Sequence, residues 1–141
     1  MKPSANIVFA VLAGIVIGSL VNIGIVNVGP FVIPLPGGAD VSTMESLRDI
    51  MELFAPANFI PPFLAHALGT LAGSFVAAKL AARHRMKAAM GIGVFFLFGG
   101  IAAISMLGGP LWFNAADLIL AYVPMGYLGA ILAGATRSSV A

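Results

Sequence analysis

Asn22, His66 and Asp117 are polar residues set inside long apolar runs, where polar chemistry is expensive and rarely idle. An isolated carboxylate in such a run must be paired, hydrated or protonated. His66 is the one group in these runs that can become a cation by taking up a proton near neutrality. The expected pairing is therefore Asp117 with His66, with Asn22 as a hydrogen-bond supplement. Asn114 shares the run of Asp117, and Thr70 and Ser74 follow His66 at four-residue spacing on one helix face. Counted from the ends of their runs, Asn22, His66 and Asp117 each fall roughly 7–9 Å inside one boundary at 1.5 Å per residue. Two functions fit such a layer: a shallow polar site for a proton, an ion or a small ligand, or a satisfied network that fixes helix register.

Other chemistry is poorly supplied. The absence of cysteine removes disulfides, thiolate metal sites and thiol nucleophiles. Ser74, Ser105 and His66 have no hydrolase spacing, so no catalytic residue is expected. Axial haem ligation would need His66 and His84, which lie a whole apolar run apart. No phosphate-cradling loop is present, and no cofactor or metal is expected. Basic residues form no stripe with interleaved aromatics, which argues against nucleic acid.

Apolar side chains make up 60% of the 141 residues and charged ones 9%, with 17 glycines beyond that apolar share. A soluble domain of this length exposes too much surface to hide such a composition. The reading is all-α: one integral membrane domain, a four-helix transmembrane bundle surrounded by the lipid bilayer. About 20 apolar residues cross a bilayer, and four runs meet that length: about 6–28, 59–82, 88–107 and 111–134. The first exceeds the apolar core of a signal peptide, so a retained helix is expected. Arg83, Arg85 and Lys87 cluster between the second and third runs, with Lys79 just before them near the end of the second, Lys2 before the first and Arg137 after the fourth. The positive-inside rule places these, and both termini, in the cytoplasm of a multi-pass inner-membrane protein.

The outer loop, 29–58, opens with Gly29-Pro30 and Pro34, Pro36, Gly37, Gly38, which reads as non-helical. A short amphipathic helix over about 43–54 follows, with Ser42 as N-cap and Glu45 reaching back. Its Glu45, Asp49 and Glu52 face either caps the bundle in the headgroup plane or docks a partner. Small residues at four-residue spacing, Ala10, Gly14 and Gly18 against Ala65, Gly69, Gly73 and Ala77, are expected to join helices one and two. Span three, with few polar groups, reads as the most lipid-facing. Pro124 should bend span four.

The segments Pro61-Pro62-Phe63-Leu64-Ala65-His66-Ala67-Leu68-Gly69-Thr70, Met44-Glu45-Ser46 and Leu120-Ala121-Tyr122-Val123-Pro124-Met125-Gly126 resemble a group of short, uncharacterised four-helix bacterial inner-membrane proteins. The resemblance implies a bacterial inner membrane and four helices, and carries no activity or ligand. The function expected is association, as an accessory subunit with a membrane-protein partner or as a homo-oligomer. An oligomeric transporter or channel is the alternative, and a membrane enzyme ranks last.

Overall fold

A computed structural model describes residues 6–38 and 41–136. Lys2 and Arg137, which entered the charge argument, lie outside the described residues. Among the described residues six α-helices follow in order: α1 (Ile7–Val32), α2 (Met44–Met51), α3 (Ile60–Leu80), α4 (Arg85–Leu107), α5 (Leu111–Leu120) and α6 (Val123–Leu132). Four helical stretches are long and apolar enough to cross a membrane: α1, Pro56–Leu80, α4, and α5 with α6 taken together.

The bundle is inverted relative to a soluble core. Among the described residues its buried apolar positions are mostly alanines, such as Ala10, Ala65, Ala77, Ala78, Ala88, Ala89, Ala121 and Ala130. Ile92 is the largest fully buried side chain. Phe9, Leu20, Phe31, Phe98, Ile119 and Leu132 all point outward. Small residues inside allow the helix backbones to approach closely.

α3 is the central helix, packing on α1, α4 and α6. It meets α1 backbone to backbone. A Cβ placed on Gly73 would lie 2.5 Å from the Gly14 carbonyl oxygen, and one on Gly69 would lie 2.8 Å from that of Gly18. On its other side, a Cβ on Gly129 of α6 would come 2.7 Å from the Cβ of Ser74. α4 crosses α6 where Gly93 meets Gly126.

Several boundaries differ from the sequence reading. α1 does not stop before Gly29-Pro30 but runs through Pro30 to Val32. Proline removes only its own N–H, and Ile33 N–H still bonds to the Gly29 carbonyl at 2.8 Å. Gly29 is buried against Pro61, where a Cβ would sit 2.5 Å from the proline Cβ. α2 starts one residue later and ends three residues earlier than expected, and its N-cap is Thr43 rather than Ser42. Thr43 Oγ1 accepts the Ser46 N–H at 3.1 Å, and Ser46 Oγ accepts the Thr43 N–H at 3.2 Å. The reciprocal cap therefore uses Ser46, one residue past Glu45, because the helix begins one residue later. The fourth span is interrupted at Ala121–Tyr122 rather than merely bent, with Tyr122 at φ −117°, ψ −77°. α4 is no more outward-facing than α1, since 17% of the most apolar window is buried in each.

Two turns set the connections. Gly108 and Gly109 have φ of 74° and 101°, backbone angles that side chains with a Cβ rarely adopt, and so allow the abrupt α4–α5 reversal. The α3–α4 turn places His84 at φ 56°, a left-handed conformation held by a non-glycine residue.

Candidate functional site

Asp117 lies on α5 and His66 on α3, each six residues in from the start of its helix and so about 9 Å along it. The structure brings them together: His66 Nδ1 lies 2.8 Å from Asp117 Oδ1. With Asp117 ionised, the ring donates from Nδ1. The second carboxylate oxygen, Oδ2, accepts the Tyr122 hydroxyl at 2.9 Å. The Tyr122 and His66 rings stack with centroids 5.8 Å apart and 27° between planes. Asp117 is thus enclosed by two donors from opposite sides, at 3% side-chain exposure against 24% for His66.

Tyr122 reaches Asp117 because the chain is broken between them. In a continuous helix, residues five apart are about 140° round from one another. The interruption at Ala121–Tyr122 turns the tyrosine back toward α5 and fits its ring against α4. There Gly100 leaves room, since a Cβ on it would lie 2.5 Å from the Tyr122 hydroxyl oxygen. Ala67, Ala121 and Tyr122 form the buried cluster around this point, with Phe63, Phe96, Leu97, Leu118 and Met125 against it.

The other expected members sit elsewhere. Asn22 makes no hydrogen bond to His66 or Asp117. It lies against Gly69, where a Cβ would come within 3.2 Å of the Asn22 Cβ. The reason is register: because α1 continues to Val32, Asn22 sits ten residues, about 15 Å, from that end. Thr70 is buried, but its hydroxyl donates to its own helix, at the His66 carbonyl, at 2.8 Å. Asn114 is a turn-holding residue, donating to the Gly108 and Gly109 carbonyls at 3.2 and 3.4 Å. Glu45 and Asp49 on α2 and Glu52 at its C-cap are exposed.

Two polar anchors escaped the sequence reading. Asn58 donates to the Pro34 carbonyl at 3.0 Å and accepts the Ala55 N–H at 2.9 Å, tying the start of the second span to the chain leaving α1. Arg85 donates from Nε to the Ala78 carbonyl at 2.7 Å and from its terminal nitrogens to the Ala133 and Gly134 carbonyls. It thereby satisfies carbonyls at the C-terminal ends of both α3 and α6, where cations are favoured by the helix dipole. Among the described residues no buried side-chain polar atom lacks a partner.

A second feature lies away from the His66–Asp117 pair. A cleft of about 620 Å³ lies between α2, the turn before α3 and the α4–α5 turn, with Arg48, Glu52, Phe59 and Trp112 in its lining. No protein-family model matches this chain, and no curated protein or solved structure matches it.

Proposed function

We propose that this chain is a multi-pass protein of a bacterial inner membrane. Both termini and the Arg83–Lys87 turn face the cytoplasm, and it acts by association, as an accessory subunit of a larger membrane assembly or as a homo-oligomer. The observation that carries this reading is the inverted bundle. Small residues and satisfied polar groups fill its interior, and large apolar side chains cover α1 and α4. Such a molecule offers surfaces rather than an interior reaction chamber. Basic residues at the α3–α4 turn support the sidedness.

The test is the mass of the protein in a mild uncharged detergent, by light scattering, with the stoichiometry of any co-purifying chain. A homo-oligomer or a fixed-stoichiometry complex is expected. A lone monomer at every protein concentration refutes association. Reporter fusions in the Arg83–Lys87 turn should read cytoplasmic, and an external signal refutes the sidedness.

A second reading, proton or ion transport by an oligomer, is favoured by one specific feature. The His66–Asp117 pair lies beside an interrupted helix, and His66 Nε2 has no hydrogen-bond partner among the described residues. Intramembrane ionisable pairs at broken helices line ion paths in many transporters. Proton flux into liposomes should then fall in Asp117→Asn, and equal flux removes Asp117 from any proton path.

A further inference from the structure

The cleft beside α2 carries two charges that no contact within the bundle uses. Arg48 on α2 and Glu52, the residue that caps its C-terminus, stand one turn apart and both line the cleft, yet neither forms an ion pair with any described residue. The arrangement is the less favourable order for a pair within a helix, with the cation N-terminal to the anion. The two charges are therefore presented side by side, one of each sign.

Beneath them lies an aromatic floor with fixed geometry. Phe59 is buried and meets Phe54 at 5.3 Å, Trp112 at 5.4 Å and Phe113 at 4.6 Å between ring centroids. The opposite wall is the Gly108–Pro110 turn. At about 620 Å³ the cleft falls within the size of small-molecule sites.

Its position completes the argument. It lies where the second span begins and the third passes into the fourth, so in the membrane placement proposed above it opens at the outer headgroup level. Tryptophan at such a boundary is an interfacial anchor. We infer that this cleft binds the headgroup of a zwitterionic phospholipid, one carrying a phosphate and a primary ammonium. Arg48 takes the phosphate, as a guanidinium fork suits its oxygens. Glu52 takes the ammonium, with the Trp112 face as a further cation-binding surface. The acidic residues on the same helix, Glu45 and Asp49, repel lipids of net negative charge. This inference rests on the membrane reading.

Trp112 is the sole tryptophan of the chain, so its fluorescence reports on the cleft directly. The experiment titrates dihexanoyl phosphatidylethanolamine, below its micellar concentration, into the full-length protein in an uncharged detergent. A saturable emission change is expected. Dihexanoyl phosphatidylglycerol, which has the phosphate without the ammonium, should bind about tenfold more weakly. Glu52→Gln should abolish that preference, and Arg48→Gln should weaken both lipids by about tenfold. Both side chains are exposed, so the variants keep the fold, as circular dichroism will verify. A non-saturable response, or identical curves in wild type and both variants, overturns the site. Binding of phosphorylethanolamine as tight as that of the lipid overturns the lipid assignment in favour of a soluble zwitterion. Carbonate extraction of cell membranes separates the two levels. Protein retained in the membrane without saturable binding removes the headgroup site alone, whereas release into the aqueous fraction removes the membrane reading with it.

Discussion

Replacing Gly100 with alanine is the sharpest probe of the Asp117 enclosure. The added Cβ would lie 2.5 Å from the Tyr122 hydroxyl oxygen, 2.7 Å from Cζ and 2.8 Å from Cε2. Ordinary contacts of this kind begin near 3.4 Å, so the ring must retreat by the better part of an ångström. Tyr122 is 2% exposed and has little room to do so. Its hydroxyl then leaves Asp117 Oδ2, now 2.9 Å away. Loss of a hydrogen bond to a carboxylate costs about 1.5–3 kcal/mol. Overpacking adds about 1–3 kcal/mol. Gly100→Ala should thus destabilise the bundle by about 3–5 kcal/mol, read by reversible unfolding in mixed micelles. Tyr122→Phe alone forfeits only the hydrogen bond. The double variant should be less destabilised than the sum of the two, by about 1.5–3 kcal/mol, since that bond can be lost only once. Gly99→Ala, where the added Cβ meets nothing within 4 Å, is the matched control and should be neutral or stabilising. Strict additivity, or a Gly100→Ala cost equal to that of Gly99→Ala, would refute the proposed geometry.

Three further outcomes follow from the same packing. His66→Leu should be strongly destabilising alone and much less so when Asp117 is also asparagine, with a coupling of about 1–3 kcal/mol in a double-mutant cycle; independent losses would contradict the pairing. Gly73→Ala, which drives a Cβ to 2.5 Å from the Gly14 carbonyl oxygen, should cost more than about 3 kcal/mol and loosen α1, measured as faster proteolysis near its ends. Arg85→Lys keeps the charge but loses the guanidinium fork, and should cost about 1–3 kcal/mol in the same unfolding assay.

What the sequence made legible is what its long apolar runs dictate strongly. Long uncharged runs must be helices, and a carboxylate inside one must find a partner, which singles out His66 for Asp117. Glycines at four-residue spacing on two helices point to one close crossing, where Gly14 and Gly18 meet Gly73 and Gly69. The misses have local causes. Gly29-Pro30 reads as a helix stop, but a proline near a helix C-terminus forfeits only one bond. The longer α1 then takes Asn22 out of the level of His66. Tyr122 was hidden because five-residue spacing puts it off the Asp117 face of an unbroken helix. Its signal was the combination of Pro124 with a tyrosine hydroxyl that needs a partner. Arg85 was masked by its company, since a cluster of basic residues reads as one charge signal without giving any one of them a structural role. Asn114 was misassigned because its place near Asp117 outweighed its place beside two glycines whose carbonyls it holds.

The Arg85 clasp has a consequence for the order in which the molecule is completed. The residue stands at the start of α4, yet two of the three carbonyls it holds belong to the last residues after α6. A nascent chain that has delivered only its first three spans carries this cation with a single helix end to serve. Arrival of the final helix supplies the missing acceptors and, at the other end, the Asp117 carboxylate that His66 awaits. The fourth span therefore closes the bundle at both ends at once, and a chain cut short of it would hold two of its strongest polar groups open.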